Sequence, residues 1–437
     1  MPKKGRRDGG KSPTKMISPV GEDEVASELG ENIHSGSDAG TIDLEELEGS
    51  EGAVDTSSLL DHLEDKLKVS IENATDASAK TRETALAEIS LGLERRYLFE
   101  FVLAREATLF DIVERSLRRG KSTEQILAAR LCALLCIQLG ADCMETYSKI
   151  RPLLLTVFCD VAVSPLSRAA CAESLGIGSF IIDEEPEIFN DVVQRLSKTF
   201  SASYLNSDGA SPQFSPEVYH LHTQSLLSWA LLMTIASPST QFAETTLHLR
   251  KLRDLLEVSD NDFRIAAGET IALMHEIIRL LPTAEARKMP DINQLCIRLR
   301  QLSTESSKYK SKKDKKLQRS SFRDILHSIE DESGTFQRVR FGKEVLALHT
   351  WSSTLQYEAL CGVLRTGIIT HLKGNPLLRD IFALGPPVLD ELKVAAGSKV
   401  DKNLRQAQFE AENKARNQTR NQHRGNKAAG RAHDDDD

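Results

Sequence analysis

Two groups of cations stand out by type and spacing. From Lys308 to Arg319 the chain carries seven basic residues, Lys308, Lys310, Lys312, Lys313, Lys315, Lys316 and Arg319, against one acid, Asp314. Near its end Arg416, Arg420, Arg424, Lys427 and Arg431 recur at spacings of 4, 4, 3 and 4. Cations at this density neutralise phosphates and release their counterions. At helical spacing the five tail cations share one face, with Asn and Gln between them for hydrogen bonding. Such a helix is marginal alone in water, and Gly425 and Gly430 weaken it, so it is expected to order on binding. The first cluster also reads as a nuclear-localisation patch. A solvated linker and a solvated tail are the competing readings of the two segments. Asp434 to Asp437 place negative charge at the tip. Nothing in the spacing explains them.

Catalytic chemistry is not expected. His275-Glu276 lacks the second histidine of a metalloprotease helix, and no phosphate-binding loop, nucleophile elbow or dinucleotide fingerprint occurs. His220, His222, His349 and His371 have neither ligand nor triad spacing. Cys132 and Cys136 are four apart, but nothing completes a zinc site, and there is no CxxC. The cysteines read as buried free thiols of a reducing compartment. No metal and no cofactor is expected. Trp351 and Tyr357 could stack on a base, but core packing is the expected role.

The elements that must position the cations are helical. The chain has 437 residues, 40% hydrophobic but only 5% aromatic, with abundant Leu and Ala. That length suggests several domains or a repeat array. The composition favours helix-on-helix packing. The net charge of −8 conceals segregation: between Lys15 and Lys66 there is no Lys or Arg and there are fifteen acids. Residues 1–57 therefore read as a disordered arm, basic at Lys3, Lys4, Arg6, Arg7, Lys11 and Lys15 and then acidic. The basic head is either a localisation or RNA-touching patch or a solubilising arm. Ser12-Pro13 and Ser18-Pro19 are weak kinase-site signals. No secretory leader is evident and no apolar run approaches the ~20 residues a membrane span needs, so no membrane partner is expected.

From Ser58 to Pro282 the periodicity is helical throughout. Stretches with small residues ahead of an apolar run recur. Taking Ala129, Ala170, Ser225 and Ala266 as equivalent, the steps are 41, 55 and 41, and Ala87 lies 42 before Ala129. The long step holds a Ser/Pro/Gly-rich insertion over 201–216. A period in the low forties predicts an armadillo/HEAT-like helical solenoid over 58–282, with an ordinary helical bundle as the alternative. Gly120 and Gly140 are expected helix ends, and Gly176 an end or a close-packing site. Residues 283–319 form a break that contains one helix and the first basic cluster. A small helix-rich domain over 320–392 follows. It starts with a helix capped by Ser320 or Ser321. A β-like stretch comes next, with a bulge or a bend between two short strands at Gly342, and then helices from Ser353 and Pro376. Residues 393–437 form the basic tail.

The 320–385 block carries a pattern that resembles the C-terminal domain of the interferon-related developmental regulator family. The residues include Phe322, Ile325, Ser328, Ile329, Glu330, Arg340, Phe341, Gly342, Glu344, Leu346, Leu348, Trp351, Gln356, Tyr357, Leu360, Cys361, Gly367, His371, Leu372, Asn375 and Leu378 to Gly385. The upstream helices resemble that family's armadillo-like domain, so the likeness spans roughly 58–390. It implies a non-enzymatic regulator of gene expression in cytoplasm and nucleus. One implied mode is binding to the ribosome, both rRNA and ribosomal proteins, with the C-terminal segment entering the mRNA path as a blocking helix. The other is nuclear transcriptional co-regulation with repressor-complex proteins. In the first mode the twelve cations above are the expected RNA contacts. In the second they serve import.

Overall fold

A computed structural model of the chain describes residues 56–182, 185–280, 292–305, 312–331, 334–335 and 337–387. Its helices are α1 (Thr56–Asn73), α2 (Ala79–Arg95), α3 (Phe99–Leu103), α4 (Glu106–Arg119), α5 (Ser122–Leu139) and α6 (Met144–Cys159). There follow α7 (Pro165–Ile181), α8 (Pro186–Phe200), α9 (Pro216–Met233), α10 (Pro238–Leu252), α11 (Asn261–Leu280), α12 (Ile292–Thr304) and α13 (Lys312–Glu330). A hairpin of β1 (Gln337–Phe341) and β2 (Glu344–Leu348) precedes α14 (Trp351–Leu364), α15 (Ile368–Gly374) and α16 (Pro376–Ile381).

The helices pair as α1 with α2, α4 with α5, α6 with α7, α8 with α9, α10 with α11 and α12 with α13. The second helices of these pairs stack in a row, α2, α5, α7, α9, α11, α13. This is the expected solenoid. All five repeat markers fall on successive helices of that row, Ala87 on α2, Ala129 on α5, Ala170 on α7, Ser225 on α9 and Ala266 on α11. Ala87 itself is exposed, so in the first unit the period belongs to the helix rather than to that side chain. Small residues do let the row close up. A Cβ on Gly176 of α7 would lie 2.7 Å from the Cβ of Ser228 on α9, and one on Gly268 of α11 would lie 2.8 Å from the Phe322 ring of α13. Gly176 is thus a packing site inside a helix, whereas Gly120 and Gly140 end α4 and α5. At Gly140 a φ of 61° closes α5, a conformation that favours glycine.

Three expectations need correction. The run Ser122–Cys159 is long and apolar enough to cross a membrane. It is split at Gly140 into α5 and α6, and most of it is buried. α5 is apolar all round because it is covered on every side by other helices. The helix expected to begin at Ser320 or Ser321 already runs from Lys312, so five of the seven cations of the basic cluster are helical. Of the seven free cysteines Cys159 is exposed, while Cys132, Cys136, Cys143 and Cys171 are buried. The insertion over 201–216 packs onto the repeats. Ser203 Oγ lies 2.7 Å from Nδ1 of His222, Tyr204 OH lies 2.9 Å from Nδ1 of His248, and the Phe214 ring meets His222 edge-on at 4.9 Å.

The β-like stretch is a two-stranded antiparallel hairpin turned at Gly342 with φ 61°. α14 touches α2, α5, α9 and α11, and α15 touches α2. The C-terminal block therefore forms a third layer across the row, and one apolar cluster runs from Leu67 to Leu378. We expect Gly176→Ala to destabilise the chain by about 1–3 kcal/mol in urea denaturation, because the strain against Ser228 exceeds the gain in helix propensity of roughly 1 kcal/mol.

Candidate nucleic-acid interface

The C-terminal block is held to the repeats by buried polar contacts. Thr350 caps α14 through a reciprocal capping box with Ser353. The Glu276 carboxylate of α11 then takes the free end of the helix. It accepts from the Trp351 N–H at 2.7 Å, the Ser352 N–H at 3.1 Å and the Ser352 hydroxyl at 2.6 Å. A carboxylate at a helix N-terminus satisfies donors that have no intrahelical partner and complements the dipole. Trp351 Nε1 donates to Ser328 Oγ at 2.7 Å, which joins α14 to α13.

At the other end the block meets α2 and α5. His371 is fully buried and its Nε2–H donates to the carbonyls of Leu93 and Glu94, both at 3.1 Å. Asn375 Nδ2 donates to the Ile137 carbonyl at 3.0 Å. Burial pushes the His371 pKa down to about 4, although the two carbonyls partly oppose this. The ring is therefore neutral at physiological pH. Gly367 sits so close to α2 that a Cβ there would overlap the Glu94 carbonyl oxygen, at 1.8 Å. Trp351, Gly367, His371 and Asn375 of the family-like pattern are thus docking residues.

Arg379 closes the block. It is 1% exposed and forms a bidentate pair with Glu344 of β2, at 3.1 Å and 2.7 Å. Its remaining donors reach the carbonyls of Leu372 at 2.9 Å, Leu384 at 3.2 Å, Gly385 at 2.6 Å and Pro386 at 3.0 Å. Hairpin, α15 and the departing chain are tied at one guanidinium. The sequence flagged Arg379 only as part of the pattern. Its signal was a lone cation inside the apolar run LLRDIF, ahead of Gly-Pro-Pro.

The sequence-derived cations are placed as follows. Lys312 and Lys313 lie in the first turn of α13. Lys316 is exposed and Lys315 half-buried. Arg319 donates through Nε to the Glu305 carbonyl at 3.0 Å, which anchors it beside α12. Lys308, Lys310, Arg416, Arg420, Arg424, Lys427 and Arg431 lie outside the described residues, as do the arm over 1–55 and the tail.

Carboxylates with raised pKa values cluster where α14 crosses the row. Burial raises Glu358 of α14 to about 7. Glu269 of α11 is pushed well above its ordinary value by burial and then by the charge of Glu358. Glu173 of α7 is raised by burial that outweighs Arg130. Among the described residues no group of three or more His, Cys, Asp or Glu is arranged to hold a metal.

A stacked row of helix pairs overlaid by its own C-terminal block defines a helical-repeat fold. The interferon-related developmental regulator (IFRD) family model matches residues 34–330, and the interferon-related protein conserved region matches residues 375–428. The chain belongs to this family. It is 40% identical to mouse interferon-related developmental regulator 2, with 83% of each chain covered. It is 37% identical to pig interferon-related developmental regulator 1, covering 80% of this chain and 79% of the other. Among solved structures, Kap121p aligns with 78% of this chain and 35% of its own at 14% identity, with a TM-score of 0.44.

Three outcomes test the docking geometry. His371→Ala should cost about 2–3 kcal/mol in urea denaturation, because two carbonyls lose their donor and a cavity opens. Gly367→Ala should cost at least as much, with a red shift of Trp351 fluorescence as the block lifts. The third outcome concerns pH. Glu358 has a higher proton affinity folded than unfolded. Its stabilising contribution is present below the ordinary value near 4.5 and is lost as pH rises through about 7. Glu358→Gln should therefore raise Tm relative to the parent at pH 8 and leave it unchanged at pH 4. Because water still reaches Glu358, the shift should be modest.

Proposed function

We propose that this protein is a non-enzymatic, ribosome-binding translational regulator that acts in the cytoplasm and also enters the nucleus. Its helical row is a rigid scaffold, its basic residues contact rRNA, and its C-terminal segment occupies the mRNA path. The observation that carries this reading is the Arg379 clamp. A basic segment blocks a channel only if it leaves the scaffold from a fixed point. Six donor–acceptor contacts from one guanidinium fix residues 384–386 against the hairpin and α15. The basic tail follows directly in sequence, and the family's conserved region spans that junction, residues 375–428. Steric exclusion reinforced by phosphate neutralisation is the mechanism.

The alternative is a nuclear adaptor that binds repressor-complex proteins. It draws less support from the fold. α14 and α15 already lie across α2, α5, α9 and α11, the face a repeat array would otherwise offer a peptide.

Alanine at Arg416, Arg420, Arg424, Lys427 and Arg431 together should weaken co-sedimentation with ribosomes. It should also flatten the log–log salt dependence by roughly 3.5, at about 0.7 per single-strand phosphate. Sedimentation unchanged by these substitutions would remove the tail from the mechanism. A parent chain that stays at the top of the gradient would refute ribosome binding itself.

A further inference from the structure

The hairpin has two unlike faces. Its register sets Arg338 opposite Ala347, Val339 opposite Leu346, Arg340 opposite Val345 and Phe341 opposite Glu344. Phe341, Leu346 and Leu348 are buried toward the core. Alternation along the strands sends Arg338, Arg340, Val345 and Ala347 to the solvent side, and all four are exposed. At the turn Lys343 is also exposed. The Lys373 chain lies alongside, its Cε 3.5 Å from where a Gly342 Cβ would stand. Glu344 is the one acid of the hairpin, and it faces the other way into the Arg379 pair. Arg340, Lys343 and Lys373 have no hydrogen bond or ion pair with any described residue.

We propose that this hairpin face is an RNA-binding surface that grips the phosphate backbone of an RNA duplex. The inference rests on the ribosome-binding reading and adds a contact that neither basic cluster supplies. Three observations select the partner. Two arginines two residues apart on one strand stand roughly 7 Å from each other. That separation suits adjacent phosphates, and the guanidinium fork matches phosphate oxygens. The cross-strand neighbour of Arg340 is Val345, so no carboxylate stands opposite it on the ribbon. The Glu344–Arg379 pair then fastens the same strand pair to residues 384–386, where the basic tail begins. Hairpin face and tail origin therefore belong to one rigid unit. The face also accounts for Arg340. It belongs to the residues that carry the family likeness, yet no packing or hydrogen bond among the described residues explains it.

The test uses the full chain carrying Arg338→Ala, Arg340→Ala and Lys343→Ala, with two probes: salt-washed ribosomes and a short blunt RNA duplex. These side chains are exposed, so Tm should stay within a few degrees of the parent. The charge-keeping pair Arg338→Lys and Arg340→Lys is the control for a folding defect. On the duplex the triple variant should flatten the log–log salt slope by about 2.7, at roughly 0.9 per duplex phosphate, and the lysine pair should keep most of it. An unchanged slope on the duplex overturns the proposal and leaves the face to an acidic protein. The two readings fail separately. Should the parent bind the duplex with the expected hairpin dependence yet not sediment with ribosomes, the ribosome reading falls and the hairpin assignment stands. Should the parent sediment normally while neither probe responds to the hairpin substitutions, the reverse holds.

Discussion

A guanidinium buried to 1% exposure must satisfy every N–H it carries, and Arg379 does so with one carboxylate and four backbone carbonyls. Leaving such a charge unpaired is strongly destabilising, so its partners are held as firmly as the arginine. Those partners come from β2, from the end of α15 and from the chain just past α16. The hairpin would otherwise be an isolated two-stranded ribbon, a structure marginal in water. Through Glu344 it becomes part of the block. The direction in which the chain leaves residue 386 follows from the same centre.

The block in turn is fixed to the repeats mainly at helix ends and carbonyls rather than through further apolar interlock alone. Glu276 takes the N-terminus of α14, His371 and Asn375 take carbonyls of α2 and α5, and Gly367 permits backbone contact with α2. Apolar layers tolerate sliding; directional hydrogen bonds at both ends of the block do not. The consequence is one orientation of the hairpin and tail origin relative to the repeat array. For a protein whose proposed task is to insert a segment into a channel, that orientation matters more than any reactive group. The raised carboxylates Glu358, Glu269 and Glu173 show that the same crossing is electrostatically strained in the charged state.

Period, helix boundaries and the hairpin were legible because each is a local property. Ala129, Ala170, Ser225 and Ala266 recur once per helix pair because every pair must bury the same face against the next. Alternation over residues 337–341 and the bend at Gly342 were visible for the same reason. The start of α13 was misplaced because a lysine run reads as a linker until tertiary contact supplies a reason for helix. Gln318, buried against Leu302 and Glu305 in the midst of that run, is the reason. The apolar length of α5 and α6 was underestimated for a related cause, since composition does not reveal that Gly140 folds one run into two helices.

The sequence by itself determined a helical repeat array, a family and two concentrations of positive charge. These depend on residue type and spacing, which survive without coordinates. Only the tertiary structure decided that the last helices lie across the row, that Arg379 is a buried clamp rather than a surface cation, and that Arg338 and Arg340 share the exposed face of a hairpin. Arg379 and Arg340 are the same residue type, each in a short stretch of alternating or apolar character. Their difference is whether carboxylate and carbonyl groups distant in sequence converge on them. That convergence comes from packing between helices up to nearly three hundred residues apart, as with His371 and Leu93, and no local pattern encodes it.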